Sequence, residues 1–154
     1  MSVRRDGFTL VELMIALACI GILAAIAVPT WLEWRSDARL GEANVCVRGI
    51  KGHQMAYEAT FNEFLPLPLY PTSDPGVVLR VWNPSDPDWQ ALGFFPEGAV
   101  RGAYGVTTTP PSTSTPGGDF LVTGLMDVDG DDNNAIFTAT KSINPRRITS
   151  RGVR

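Results

Sequence analysis

Histidine and cysteine are scarce in this chain of 154 residues, which has one histidine, His53, and two cysteines, Cys19 and Cys46. His53 has no cysteine or histidine at the spacing of a zinc site, so a zinc centre is not predicted. Both cysteines fall within one predicted helix, about 40 Å apart at 1.5 Å per residue, which is far beyond the reach of a disulfide. Each is most simply a small apolar residue of its helix.

The chain also lacks a surplus of basic residues. Its formal net charge is -3 and its pI is about 5.1, whereas proteins that bind nucleic acids through the phosphates are usually basic. The one basic cluster is interpreted as a solvated tail, with a phosphate-binding patch as the alternative, and it comprises Arg146, Arg147, Arg151 and Arg154. We therefore infer no specific nucleic-acid partner.

Motifs of catalysis are missing as well. The sequence contains no nucleophile and base at a recognisable spacing, no phosphate-binding loop and no metal-hydrolase motif. A single histidine leaves few options for general acid–base chemistry. We predict that the chain is not an enzyme and that it has no catalytic cofactor.

Charge is absent altogether from residues 13–32. As a helix this run would span about 30 Å, the thickness of the hydrocarbon core of a bilayer. Arg4 and Arg5 precede it, so the N-terminus is expected on the cytoplasmic side of the membrane and the chain beyond Trp34 on the outer side. Trp31 and Trp34 lie where an interfacial aromatic anchor is expected.

A secretory signal peptide is the strongest alternative for this N-terminus. A basic start, an apolar core and the small residues Ala25 and Ala27 would allow a cut after Ala27. Against it stands Glu12, a carboxylate near the start of the apolar run that is costly in lipid and has no purpose in a discarded peptide. The run also exceeds the apolar core of a usual signal peptide, about 7–15 residues. A single-pass membrane anchor that is never cut is a third interpretation.

The start of the apolar run carries a dense motif, Gly-Phe-Thr-Leu-Val-Glu-Leu-Met-Ile at positions 7–15. This motif resembles the class III signal of type IV prepilins and pseudopilins. The resemblance implies that a prepilin peptidase cuts after Gly7 on the cytoplasmic side and methylates the new amine of Phe8. Glycine at the cut would let the peptidase approach the backbone closely, because glycine has no Cβ. Asp6 departs from the family, whose leaders are usually basic.

The resemblance also implies roles for the N-terminal residues after cleavage. The amine of Phe8 would pair with Glu12 of a neighbouring subunit and set the register between helices. Pro29 would kink the helix, with termination of the helix as the alternative. The implied function is that of a structural type IV pilus subunit for motility, adhesion or DNA uptake, held in the inner membrane and then polymerised with other pilin subunits into an extracellular filament. A pseudopilin of a type II secretion system is the alternative within the family.

A second, amphipathic half of the helix is predicted beyond the apolar run. Its apolar or semi-apolar residues recur every three or four positions, as Leu40, Ala43, Val47, Ile50, Gln54, Tyr57 and Phe61. The charged residues mostly fall off this stripe and are expected to face water, namely Arg39, Glu42, Arg48, Lys51 and Glu58. The helix is expected to stop before Pro66, where residues 65–71 predict an extended connection.

Farther on, the pattern becomes that of short strands separated by Gly- and Pro-rich turns. Strands are predicted at residues 77–82, 99–107, 120–125 and 135–142. Residues 83–94 predict a turn and a short helix with Trp89, Leu92 and Phe94 as core anchors, and this block resembles one in pilins of delta-proteobacterial type. Residues 107–118 predict an exposed loop.

The predicted fold class is α+β, in which a long N-terminal helix packs on a small antiparallel β-sheet. The resemblance to pilins implies the same arrangement. We predict four segments along the chain: a leader at 1–7, an apolar helix at 8–34, an amphipathic half-helix at 35–64 and a sheet head at 65–154.

An acidic segment at residues 127–134, Asp-Val-Asp-Gly-Asp-Asp-Asn-Asn, is the one stretch with ligand chemistry. The carboxylates of Asp127, Asp129 and Asp131 could converge on a hard cation such as Ca²⁺. The segment is not an EF-hand, because Asp132 and Thr138 stand where that loop requires Gly and Glu. Asp, Asn and Gly also build hairpin turns without any metal, so a plain turn is the preferred interpretation and a cation site the alternative.

Overall fold

The structure, a computed structural model, describes residues 7–113, 117–150 and 153. Most of the predicted leader and two of the C-terminal arginines, Arg151 and Arg154, lie outside the described residues. The chain divides into two compact units between Arg35 and Ser36, and each is described by itself.

A single helix, α1, runs from Leu10 to Phe61. It passes through Pro29, so the alternative in which this proline ends the helix is wrong, whereas a kink there stays a prediction. Pro29 has no N–H to donate to the preceding turn. One turn earlier, the carbonyl oxygen of Ile26 accepts a hydrogen bond from the Thr30 hydroxyl at 3.0 Å. The apolar part of α1 is long and apolar enough to cross a membrane, by length and composition alone.

The second unit contains the rest of α1, a five-stranded antiparallel sheet, a two-stranded sheet and a short helix. Its elements are β1 (Leu67–Tyr70), β2 (Arg80–Val81), α2 (Pro87–Leu92), β3 (Ala99–Val100), β4 (Ala103–Thr109), β5 (Asp119–Met126), β6 (Ala135–Thr140) and β7 (Arg146–Arg147). The larger sheet has the order β1-β4-β5-β6-β7, and β2 pairs with β3 in the smaller one. The predicted α+β class is confirmed.

The core lies between the amphipathic half of α1 and one face of the larger sheet. Side chains alternate between buried and partly exposed along β5 and β6, as expected for strands with one covered face. Helix and sheet lie in close contact at Gly124 of β5, where an added Cβ would lie 2.8 Å from Cγ2 of Val47. A larger residue at position 124 would push the helix and the sheet apart.

The short helix α2 follows from its local sequence. Asp86 caps its start by accepting a hydrogen bond from the Trp89 amide at 3.3 Å, Pro87 occupies the first turn, and Gly93 ends it in a left-handed conformation with φ 74°. The predicted anchors Trp89, Leu92 and Phe94 are all buried, which confirms them.

Four predictions of local structure need correction. The strand predicted at 77–82 is only two residues long, Arg80–Val81, and the strand predicted at 99–107 is interrupted between β3 and β4. The connection at 65–71 contains β1, which pairs with β4. The C-terminal arginines were predicted as a solvated tail, but Arg146 and Arg147 form β7 and pair with β6. The two strands that were not predicted are β1 and β7. Pairing with β4 and β6 holds them extended, a conformation that their local sequence does not require.

Gln54, the polar residue in the apolar stripe, is fully buried. Its amide nitrogen Nε2 donates to the carbonyl oxygen of Leu65 at 2.7 Å, and the Leu65 N–H donates to Oε1 at 3.0 Å. A buried amide with both ends bonded is stable in a core. Gln54 therefore fixes the chain where it returns from the helix toward β1.

Candidate assembly site

The predicted cleavage site lies just before α1. Gly7 and Phe8 are both exposed, Phe8 by 75%. Nothing in the described structure lies within 4 Å of the position that a Cβ on Gly7 would occupy. Among the described residues, the backbone at this position is therefore open to approach.

Glu12 and Thr9 form a reciprocal capping box at the start of α1. Oε2 of Glu12 accepts from the Thr9 N–H at 2.9 Å and from the Thr9 hydroxyl at 2.7 Å, and the Glu12 N–H donates to the Thr9 hydroxyl oxygen at 3.2 Å. Thr9 stands at the N-cap and Glu12 at the third helical position, which is the usual spacing of such a box. The carboxylate is thereby held at the positive end of the helix dipole.

The two carboxylate oxygens of Glu12 are used differently. Both bonds from Thr9 end on Oε2, and Oε1 has no hydrogen-bond partner among the described residues. Glu12 can thus keep its own helix capped and still offer one oxygen to a cation. The spacing Thr-x-x-Glu before an apolar run was a signal in the sequence for this cap, and the sequence-based interpretation missed it.

From Phe8 to Trp34 the large apolar side chains are exposed all around the helix, and Trp34 itself is 70% exposed. A helix that is apolar all round is stable only when lipid or other helices cover it. At the end of this surface the guanidinium of Arg35 lies 5.7 Å from the ring centre of Trp31, a cation–π contact. The apolar surface and the capped carboxylate together make this end of the chain a candidate assembly site.

Glu42 attaches the amphipathic half of α1 to the start of the larger sheet. Its Oε1 accepts hydrogen bonds from the Arg101 N–H at 2.8 Å, the Gly102 N–H at 3.2 Å and the Tyr104 hydroxyl at 3.0 Å. The Arg101 guanidinium lies 4.0 Å from its other oxygen. The expectation that Glu42 faces water is wrong. The sequence-based reasoning missed these bonds because the partners of Glu42 lie about 60 positions away along the chain and do not affect the local pattern.

Two other charged residues that were expected to face water also contact the head. Lys51 donates to the Ile143 carbonyl oxygen at 3.0 Å, and Glu58 forms an ion pair with Lys141 at 3.2 Å. Charged side chains next to the apolar stripe of the helix therefore bond to polar groups of the head.

Cys46 lies beside this cluster and is buried. Burial raises the pKa of the Cys46 thiol to about 11, although a hydrogen bond with Tyr104 opposes part of the change. Burial also raises the pKa of the Tyr104 hydroxyl far above its ordinary value. Both groups remain protonated at neutral pH, so Cys46 is a packed residue and not a reactive thiol.

The acidic segment forms the turn between β5 and β6. Asp127 is buried and its Oδ1 accepts from the Gly130 N–H at 2.7 Å, while Asp131 accepts from the Asn133 N–H at 2.9 Å. Gly130 and Asp132 have left-handed backbones with φ 80° and 61°, conformations that Gly and Asp tolerate. These bonds account for a hairpin turn without a metal.

The same turn brings three carboxylates together. One oxygen from each of Asp127, Asp129 and Asp131 lies within 4.8 Å of the others. Calcium ligands lie about 2.3–2.6 Å from the ion, so three such oxygens can share one ion. Partial desolvation and the charges of Asp131 and Asp127 raise the pKa of the Asp129 carboxyl, which a bound cation would reverse. The residues fit Ca²⁺, and its binding stays a prediction.

If the turn binds calcium, about 1 mM Ca²⁺ should raise the melting temperature of the full-length chain in detergent by roughly 3–5 °C relative to chelator. Circular dichroism measures the transition. Asp129→Asn is the matched variant, because it removes a ligand but none of the turn's backbone hydrogen bonds to Asp127 and Asp131, and it should abolish the shift. Equal melting temperatures in Ca²⁺ and chelator would leave the plain turn as the whole explanation.

Comparison with known proteins locates the similarity in part of the chain. The family described as "Prokaryotic N-terminal methylation motif" matches residues 3–28. The chain is 38% identical over 64 residues to a fimbrial protein of Neisseria meningitidis serogroup B, which covers 42% of this chain and 38% of that protein. It is 35% identical over 78 residues to the type IV major pilin protein PilE1 of Neisseria gonorrhoeae, covering 51% of this chain and 34% of the relative.

A delta-proteobacterial relative is also similar. The type IV major pilin protein PilA of Myxococcus xanthus is 41% identical over 54 residues, which covers 35% of this chain and 24% of that protein. The chain thus matches less than two fifths of the length of each of these relatives, and no solved structure matches it. The predicted resemblance is confirmed at this level: the chain carries the prokaryotic N-terminal methylation motif and is similar to type IV pilins over part of its length.

Proposed function

We propose that this chain is a structural subunit of a type IV pilus that is cleaved after Gly7, methylated at the amine of Phe8 and polymerised into an extracellular filament. The observation that carries the proposal is an uncharged helical run with exposed large apolar side chains, headed by a carboxylate that has one oxygen without a hydrogen-bond partner among the described residues. Lipid covers this helix in the inner membrane, and the helices of other subunits cover it in the filament.

Transfer between these two surroundings is feasible because lipid tails and packed apolar helices solvate the helix about equally well. The amine of Phe8 and Glu12 of a neighbouring subunit are the polar groups that must meet in this transfer. Either charge would be costly in an apolar core if unpaired. Their pairing therefore sets the register between helices more than it adds stability.

The proposed partners are identical or related pilin subunits and a membrane-bound prepilin peptidase that also methylates. Methylation of an amine keeps its positive charge, so the modified Phe8 can still bind Oε1 of Glu12. Removal of the leader places that amine one residue before Thr9, beside the capped end of α1. In this proposal Gly7 and Phe8 serve processing, and Phe8, Glu12 and Pro29 serve assembly.

Mass spectrometry of the mature N-terminus tests the proposal. A chain that begins with methylated Phe8, recovered from filaments sheared off the cell surface, is the expected result. A chain that begins at Val28 would show that a signal peptide was removed instead, and an intact Met1 with no filament would show a plain membrane anchor. Electron microscopy of cells with and without the gene separates surface pili from a short pseudopilus.

A further inference from the structure

An apolar groove of about 460 Å³ lies within the second unit, between α1 and the segment that follows α2. Val45 and Gly49 contribute the helix side, and Phe94, Phe95 and Pro96 contribute the other. Val45 is 72% exposed and Phe95 is 45% exposed, so each offers apolar surface to a partner. The head itself leaves this apolar surface uncovered.

The charge at the groove is negative. Glu42 and Glu97 are its charged lining residues, and the carboxylate of Glu42 is already bound to the β3–β4 turn. Glu97 is exposed and has no hydrogen bond or ion pair among the described residues. An occupant that matches this surface has an apolar, preferably flat side chain next to a cation.

Val81 and Ile148 are exposed next to Arg80 and Arg147 but are aliphatic, and among the described residues one exposed segment joins a flat aromatic side chain to a cation. The exposed aromatic residues of the described structure are Phe8, Trp31, Trp34, Phe61 and Phe95. Arg35 adjoins Trp34 and stacks on Trp31 at 5.7 Å, whereas Phe61 and Phe95 have no basic residue within four positions and Phe8 is assigned to the contact with Glu12. Trp and Arg are also the residues that most often anchor protein interfaces.

We propose that the groove receives Trp34 and Arg35 of a second copy of this chain, with the guanidinium of Arg35 paired to Glu97 and the indole of Trp34 lying against Phe95 and Val45. The inference rests on the proposed function, because it assigns a head-to-helix contact within the filament. Neighbouring subunits would then be joined by two independent contacts, one between Phe8 and Glu12 and one at the groove. The second contact specifies the relative position of neighbouring subunits.

Charge reversal tests the ion pair. Glu97→Arg and Arg35→Glu should each reduce the amount of sheared filament at least about fivefold, because each places like charges opposite one another, and the double variant should recover to within about twofold of wild type. Single variants that assemble like wild type, or a double variant that is no better than either single one, would overturn the proposal. The mature N-terminus at Phe8 must be unchanged in all three, which separates this result from a failure of processing.

Disulfide cross-linking gives a second measurement that does not depend on yield. Because Cys46 also lines the groove, both native cysteines are replaced, and in this Cys19→Ala, Cys46→Ala background Trp34→Cys and Phe95→Cys together should give subunit ladders on mild oxidation of filaments. The matched control joins Trp34→Cys with Val81→Cys, a position that is 82% exposed and outside the groove, and should give none. If Phe95→Cys is protected in filaments but does not cross-link to position 34, another segment or partner occupies the groove and the proposal is wrong.

Discussion

Glu12→Gln should reduce surface filaments at least about tenfold while leaving cleavage after Gly7 intact. Glutamine can take the place of glutamate in a capping box, so the bonds with Thr9 and the start of α1 should survive. What the variant removes is the negative charge that, in the proposed filament, pairs with the amine of Phe8 when it leaves water. Quantitative immunoblots of sheared and membrane-bound subunit, with the mass of the mature N-terminus, measure both effects.

Thr9→Val is the matched variant for this experiment. It removes the side chain that caps the helix but keeps the Glu12 carboxylate, and it should lower the filament yield by no more than about fivefold, since loss of an N-cap is worth about 1 kcal/mol. The two variants separate capping from charge. Filaments of normal abundance in Glu12→Gln, together with few filaments in Thr9→Val, would show that Glu12 acts only as a helix cap.

Glu42→Ala should lower the free energy of unfolding of the second unit by about 3 kcal/mol, because it strands the buried Tyr104 hydroxyl and two backbone N–H groups without their charged acceptor. The melting temperature of the full-length chain in detergent should fall by roughly 10 °C. Circular dichroism at a wavelength that reports the sheet follows the transition.

Glu42→Gln retains an oxygen in the same place and should destabilise the unit by only about 1 kcal/mol, since the charge is lost but the acceptor is kept. Glu63→Ala serves as the surface control, because Glu63 is exposed and has no hydrogen bond or ion pair among the described residues. A melting temperature for Glu42→Ala that matches that of Glu63→Ala would refute the role of Glu42 in fastening helix to sheet.

The features that the sequence predicts well are those that depend on near neighbours. The uncharged run, the apolar stripe from Leu40 to Ile50 and the α2 block with its cap at Asp86 are all present in the structure. Each is specified by residues within one or two helical turns, where spacing alone determines which face is apolar and where a helix begins. The motif around Gly7 belongs to the same class.

The features that it missed depend on partners beyond the nearest helical turns, from about 10 to about 60 positions away along the chain. Glu42 bonds to residues 59 to 62 positions away, and β7 exists because it pairs with β6 across a turn. Gln54 looked like a break in the stripe, yet it bonds both polar groups of Leu65. Local spacing cannot distinguish a polar residue that faces water from one that is buried with a distant partner.

Val47 packs closely against Gly124, and this contact marks positions that do not tolerate larger side chains. Residues on that contact have no spare volume, so change there is restricted to small adjustments. The exposed loop after β4 has no such constraint, and its residues 110–113 are turned toward solvent. A lineage that carries this chain can therefore diversify the surface it shows to its surroundings while the scaffold beneath it stays the same.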